Sequence, residues 1–127
     1  MTQHLGESLE DYLESILVLS KQLPVVRSVD VASYLGFSKP SVSHAVKLMH
    51  EQGLITLDKN KGLYLSEEGA RIANETWRRH QFFTSMLTAI GVDRETAQED
   101  ACRMEHVVSQ ETFDAIQKYF ETKEAGQ

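Results

Sequence analysis

The chain has 127 residues, of which 25% are charged and 41% are hydrophobic, and its formal net charge is −6. This balance predicts a soluble globular protein with one folded unit or two small lobes, and it excludes a disordered chain. No apolar run is long enough to cross a bilayer and the start lacks a secretion signal, so we expect a cytoplasmic protein without a membrane partner. A single cysteine excludes an internal disulfide.

The first predicted helix runs from Ser8 to about Gln22, where apolar residues recur at helical spacing. Asp11 and Glu14 lie one turn apart on this helix. One interpretation is that Asp11 is a favourable charge near the helix start. The other is that both carboxylates are metal ligands, if the fold brings them to further donors.

Two short helices joined by a tight turn are predicted next. The first spans Ser28–Leu35 and ends at Gly36; the second begins after Ser38 and ends before Gly53. This arrangement is typical of a helix-turn-helix. The outward face of the second helix has no acidic residue, which favours DNA binding over an ordinary solvated face. Its residues are Pro40, Ser43, His44 and Lys47.

Two short strands follow, Leu54–Leu57 and Leu63–Leu65, around a turn of residues 58–62 with hairpin composition. A two-stranded ribbon after the proposed recognition helix makes the unit a winged helix. The range 27–64 carries a net charge of +2, which leaves −8 for the remainder. The basic residues are therefore concentrated in the segment that would meet DNA.

Three further helices are predicted at about 67–90, 94–107 and 110–120, followed by a frayed polar tail at 121–127. The first of these should join the DNA-binding lobe to a second lobe. The expected fold is therefore mainly α, with a winged helix-turn-helix over residues 1–70 and a helical lobe over residues 71–127. The second lobe is too small to bury all of its large apolar side chains, so we expect a homodimer. These side chains are Leu87, Phe113, Ile116, Tyr119 and Phe120.

Cys102, Glu105 and His106 have the spacing i, i+3 and i+4, which puts them on one face of a helix. Thiolate, carboxylate and imidazole together suit a divalent transition metal better than magnesium or calcium. His80, from another predicted helix, is a further donor. The alternative is a packed cysteine beside two solvated polar residues.

The sequence resembles the diphtheria-toxin-repressor and manganese-transport-regulator family along nearly its whole length. The residues that carry this resemblance are Glu10-Asp11-Tyr12-Leu13-Glu14, Ser38-Lys39-Pro40-Ser41-Val42-Ser43, Arg79-His80 and Ala101-Cys102-Arg103-Met104-Glu105-His106-Val107. The resemblance implies a winged-helix lobe followed by a dimerisation lobe, with metal ligands from both. It also implies a principal metal site and a second site. The principal ligands would be Asp11, Cys102, Glu105 and His106, and the second site would add Glu14 and His80.

Matching positions also imply DNA contacts. These are Arg27, Ser38, Pro40, Ser41, Ser43 and His44, to which Lys47, Lys59 and Lys61 are added because of their charge. Lys39, which belongs to the same segment as Ser38 and Pro40, completes the predicted DNA-binding residues. The predicted partner is double-stranded operator DNA.

The predicted function is that of a metal-activated, DNA-binding transcriptional repressor that controls metal-ion homeostasis. The iron branch of the family resembles this chain at Cys102 but has methionine at position 11, whereas the manganese branch has the aspartate but glutamate at position 102. The thiolate shifts the preference slightly from Mn²⁺ to Fe²⁺, and Zn²⁺, Co²⁺ and Ni²⁺ should also bind in vitro. The alternative function is a winged-helix regulator that responds to a small organic ligand. An enzyme is not expected, because no nucleophile, base and orienting group occur together.

Overall fold

The computed structural model describes residues 5–125, and the side chains of residues 9–123. These residues form helices α1 Leu5–Ser20, α2 Ser28–Leu35 and α3 Lys39–Glu51, strands β1 Ile55–Leu57 and β2 Leu63–Leu65, and helices α4 Glu67–Ala89, α5 Arg94–Val107 and α6 Gln110–Ala125. The predicted mainly α fold with a two-stranded wing is confirmed. None of the helices described is long and apolar enough to cross a membrane.

The chain divides into two units, Met1–Thr76 and Trp77–Gln127, with the division inside α4. The core of the first unit comes from the apolar faces of its helices. Leu13 and Ile16 of α1 and Val42 of α3 are buried there. Burial of each such side chain contributes about 1.5–3 kcal/mol relative to an exposed position, so these faces fix α3 against α1.

The turn between α2 and α3 is defined by two residues at its ends. Gly36 has φ 74°, a left-handed conformation that glycine adopts without steric cost, and it ends α2. Ser38 is the N-cap of α3, and its hydroxyl accepts a hydrogen bond from Ser41 N at 3.3 Å. Pro40 lies in the first turn of α3, where its missing N–H costs no helical hydrogen bond.

The wing is an antiparallel pair in which Ile55 lies opposite Leu65 and Leu57 opposite Leu63. Its inner residues Ile55 and Leu63 are buried, and the turn between the strands is exposed apart from Gly62. Each strand is thus anchored in the core by its first residue, and the turn remains accessible.

The second unit is organised around two aromatic rings. Phe83 of α4 and Phe113 of α6 are fully buried with their ring centroids 5.5 Å apart, in edge-to-face geometry. Ala101 of α5 is also fully buried in this cluster. Tyr119 is 60% exposed, so part of the apolar surface of this unit remains accessible within the single chain.

Some predicted boundaries were wrong. The first helix begins at Leu5 and not at Ser8, so Ser8 is not its start. The last helix continues to Ala125, through the segment that was predicted to be frayed. Its polar residues are good helix formers, and no glycine or proline interrupts the chain before residue 126. Polarity alone was therefore a poor indicator of the end of the helix.

Candidate metal centre and nucleic-acid interface

Helix α5 presents three potential metal ligands on one face. Asp93 begins this helix by accepting hydrogen bonds from the backbone N–H groups of Glu95 and Thr96. Further along, the Glu105 side chain is fully buried and its Oε2 lies 3.3 Å from His106 Nε2. Cys102 is exposed, and its Sγ lies within 4.8 Å of a Glu105 carboxylate oxygen.

Helix α4 adds a second imidazole to this cluster. His80 Nδ1 lies 2.9 Å from Glu105 Oε1, and the His80 side chain is 19% exposed. Its ring stacks on Trp77, with centroids 5.6 Å apart and planes 16° apart. The stacked indole restricts the ring orientation, so the Glu105 carboxylate is held between two imidazoles.

The buried side chain of Arg79 fixes the end of α5. Its guanidinium donates hydrogen bonds to the carbonyl oxygens of Glu105 at 3.1 Å and Val108 at 2.6 Å. It also donates to Gln110 Oε1 at 3.1 Å and lies 5.0 Å from the centroid of the Phe113 ring. These bonds satisfy carbonyl groups that the end of a helix leaves without helical partners. Arg79 thereby holds the helical turn that carries Glu105.

This donor set fits a transition metal. Two neighbouring ligand atoms with metal bonds of about 2.0–2.2 Å lie about 3 Å apart, close to the 3.3 Å between Glu105 Oε2 and His106 Nε2. The thiol of Cys102 adds a soft donor. Among the predicted ligands, the second unit therefore brings together His80, Cys102, Glu105 and His106.

The remaining predicted ligands, Asp11 and Glu14, belong to α1 of the first unit. Both are half-buried. Asp11 lies next to Tyr12, and burial together with the charge of Asp11 raises the pKa of that phenol. Their participation in the cluster of the second unit stays a prediction.

The predicted DNA-contacting residues are all exposed. On α3 they form a continuous outward face, opposite the buried Val42, Ala45 and Met49. Arg27 immediately precedes α2, and its backbone N–H donates to Asp30 Oδ2 at 2.9 Å. Its side chain lies at the wing, with Nε 3.5 Å from the carbonyl oxygen of Asn60. The surface is formed by Arg27, Ser38, Lys39, Pro40, Ser41, Ser43, His44, Lys47, Lys59 and Lys61.

Comparison with known proteins decides the family. Residues 4–63 match the family described as "Iron dependent repressor, N-terminal DNA binding domain", and residues 66–124 match "Iron dependent repressor, metal binding and dimerisation domain". The chain belongs to the iron-dependent repressor family. The resemblance inferred from the sequence is therefore confirmed, and this is a family of metal-dependent transcriptional regulators and not of enzymes.

The chain is similar to the transcriptional regulator MntR of Escherichia coli O157:H7. It is 39% identical over 116 residues, which cover 91% of this chain and 75% of MntR. The crystal structure of the metal-dependent transcriptional regulator MtsR is 30% identical with a TM-score of 0.81, and the structure of the manganese regulator SloR is 26% identical with a TM-score of 0.79. Each match covers 89% of this chain and 53% of the solved chain. The chain thus spans about half the length of these solved relatives.

Sequence reasoning missed two residues of this repressor-family chain that position others. Arg79 was part of the motif Arg79-His80 but was given no role, because burial of an arginine cannot be read from helical spacing. Asp58 was regarded only as a turn residue and an acidic charge, although its carboxylate accepts three hydrogen bonds within the wing. An aspartate two residues before an asparagine and four before a glycine is typical of such a turn, and this pattern could have been recognised.

Proposed function

We propose that this protein is a metal-activated transcriptional repressor that binds duplex operator DNA as a homodimer and adjusts metal-ion uptake. The observation that carries the proposal is the buried Glu105 carboxylate, which lies within 3.3 Å of two imidazoles and within 4.8 Å of a thiol. A fully buried carboxylate in such company is typical of a metal centre. Membership of the iron-dependent repressor family agrees with this interpretation.

Within the second unit, Cys102, Glu105 and His106 would hold the ion, with His80 as a further ligand. When bound, a divalent cation supplies positive charge that compensates the buried carboxylate. An ionised carboxylate only accepts hydrogen bonds, so His80 Nδ1 must carry a proton where it meets Glu105. His80 Nε2 then keeps its lone pair for a ligand.

We further propose that Asp11, and Glu14 at a second site, contribute ligands from α1. The opposite face of α1 packs in the core that holds α3, through Leu13 and Ile16. A restraint on Asp11 is therefore also a restraint on α3. DNA affinity and metal affinity should then increase each other by the same coupling free energy.

The DNA would be read by α3 and the wing. The exposed face of α3 offers hydroxyl and imidazole groups to base edges, and the lysines of α3 and the wing offer charge to phosphates. One α3 helix enters a single major groove and contacts one half-site. Two copies related by a twofold axis are therefore needed for an operator with two half-sites. The half-exposed aromatic surface of α6, with Tyr119, is a suitable part of the interface in such a homodimer.

The physiological ion would be Fe²⁺ or Mn²⁺. The thiolate of Cys102 favours Fe²⁺, since sulfur ligands prefer the softer ion, whereas the related SloR is a manganese regulator. Zn²⁺, Co²⁺ and Ni²⁺ should also bind the purified protein, because the general affinity order places them above Mn²⁺.

The test is DNA binding as a function of metal under anaerobic, reducing conditions. A duplex is first selected from a random pool by the Mn²⁺-loaded protein, and its affinity is measured with Mn²⁺, Fe²⁺, Zn²⁺ or chelator. We expect chelator to weaken binding at least tenfold, within the usual range of allosteric coupling. Binding that is insensitive to chelator would refute the metal switch and favour a regulator of the organic-ligand class.

Two variants assign the effect to the cluster. Cys102→Ala should lose most of the metal stimulation and keep the weak metal-independent binding. Gln98→Ala is the control, because Gln98 is exposed one turn earlier on the same side of α5. Equal stimulation of Cys102→Ala and the wild type would remove the thiol from the site.

A further inference from the structure

We propose that Asp58 is a positioning residue for DNA binding: its carboxylate fixes the wing turn that carries Lys59 and Lys61. The inference rests on the proposed DNA-binding function. It explains why a negative charge directly precedes the two wing lysines on a surface that would face phosphates.

The Asp58 carboxylate organises the turn from the inside. Its Oδ1 accepts hydrogen bonds from the backbone N–H groups of Asn60 and Gly62, both at 2.8 Å. Its Oδ2 accepts one from the Tyr64 hydroxyl at 3.0 Å. The bond from Gly62, and next that from Tyr64, lower the pKa of the Asp58 carboxyl. The carboxylate is therefore engaged with the turn on both of its oxygens.

The backbone of the turn closes around the same residue. Asp58 N donates to the Gly62 carbonyl at 3.2 Å, and Lys61 N donates to the Asp58 carbonyl at 3.0 Å. Lys61 has φ 65°, the only positive φ among the non-glycine residues described. Glycine or asparagine would adopt this conformation at lower cost. A lysine held there by its neighbours' bonds to Asp58 is typical of backbone strain that is retained for function.

The turn is also attached to the rest of the first unit. Leu63 N donates to the Val26 carbonyl at 2.8 Å, and Arg27 Nε approaches the Asn60 carbonyl at 3.5 Å. A Cβ atom at Gly62 would lie 2.9 Å from both Asp58 Oδ2 and Val25 Cγ1, so the turn is closely packed at this point. The two wing lysines are thus carried on a turn with few alternative conformations.

Electrostatics and positioning make opposite predictions for removal of Asp58. Loss of one negative charge near a polyanion should strengthen binding if charge alone matters. Loss of the hydrogen-bonded turn should weaken binding, because each lysine held against a phosphate releases about one counterion from the DNA. This release increases both the affinity and its dependence on salt concentration. The sign of the effect therefore discriminates between them.

Five variants of the full chain, loaded with Mn²⁺, test the proposal against a duplex selected by the wild type. Asp58→Ala removes both charge and bonds, whereas Asp58→Asn removes the charge and keeps an oxygen for the turn N–H groups. Glu51→Gln removes the same charge from an exposed position at the end of α3. The double variant Lys59→Ala/Lys61→Ala removes the two lysine side chains that Asp58 is proposed to position. Adding Asp58→Ala to this double variant completes a double-mutant cycle.

We expect Asp58→Ala to bind about fivefold more weakly, Asp58→Asn to bind within about twofold of the wild type or more tightly, and Glu51→Gln to bind at least as tightly. In the background without both lysines, Asp58→Ala should cause no further loss. The proposal is overturned if Asp58→Ala binds as tightly as the wild type, if Asp58→Asn loses as much as Asp58→Ala, or if the loss persists without the lysines. If the wild type selects no duplex with Mn²⁺ or Fe²⁺, the proposed function fails and this inference falls with it.

Discussion

Replacing Arg79 by methionine should strongly destabilise the second unit. The guanidinium donates hydrogen bonds to the Glu105 and Val108 carbonyls and to the Gln110 side chain. Methionine fills similar volume but donates none of these bonds. A buried acceptor left without its donor costs about 1–3 kcal/mol, and the two carbonyls at the end of a helix retain partial access to water. We therefore expect a loss of about 3 kcal/mol in the free energy of unfolding.

Arg78 provides a matched control for this experiment. Its guanidinium lies 4.9 Å from the centroid of the same Phe113 ring, but the side chain is exposed and donates a hydrogen bond to the Gln117 side chain and not to the α5 carbonyls that Arg79 holds. Arg78→Met should cost less than about 1 kcal/mol, the usual magnitude of an exposed cation–π contact. Both variants are unfolded with urea at one protein concentration in the presence of chelator. Trp77, the single tryptophan, reports on the second unit by fluorescence. Equal losses for the two variants would refute the assignment of the effect to the α5 carbonyls.

Three further predictions concern other parts of the chain. The pKa of the Asp58 carboxyl is lowered by backbone N–H groups of the wing turn and then by the Tyr64 hydroxyl. This carboxyl therefore stabilises the fold at pH values above the ordinary carboxyl pKa, and the stabilisation is lost as pH falls through the lowered pKa. Tyr64→Phe should raise the Asp58 pKa in an NMR titration, and an unchanged pKa would contradict the hydrogen bond. Gly69→Ala should lower the midpoint of urea unfolding, because a Cβ atom would overlap the Leu54 carbonyl at a cost of about 1–3 kcal/mol. A higher midpoint would mean that alanine's greater helix propensity, a gain of about 1 kcal/mol, outweighs this overlap. Cys102→Asp should shift the preferred activating ion from Fe²⁺ towards Mn²⁺ in the DNA-binding titration, since an oxygen ligand is harder than a thiolate. If the ratio of the activating concentrations of Fe²⁺ and Mn²⁺ stays unchanged, residue 102 does not select the ion.

The elements with clear terminal residues were the ones that the sequence predicted with correct bounds. Gly36 ends α2 by its left-handed conformation, and Ser38 begins α3 by capping it. Asp93 does the same for α5, whose predicted range agrees with the structure. These residues act on their immediate neighbours, so their effect can be derived from local sequence. The far end of α6 has no such residue within the part of the chain that is described, and there the prediction was too short.

The candidate site could be predicted only as far as one helix reaches. Spacing alone puts Cys102, Glu105 and His106 on one face of α5, but it assigns them no burial. The structure leaves the thiol exposed and buries the carboxylate completely. The structure also brings His80 of α4 to the Glu105 carboxylate, which spacing along α5 does not predict. Contacts between helices depend on how whole faces fit together, and a single sequence does not contain that information directly.

The acidic residues of the basic segment and its basic residues differ in how their side chains are held. Within residues 27–64, Asp30 accepts a hydrogen bond from the Arg27 backbone N–H, and Asp58 accepts three within the wing turn. Both carboxylates keep their charge but are held in place by N–H groups of the nearby backbone. Glu51, at the end of α3, is the remaining acid of this segment. The five basic side chains are all exposed, so every positive group of a segment with a net charge of +2 is accessible to a polyanion. A chain with a net charge of −6 therefore still has one surface whose charge suits the proposed binding of DNA.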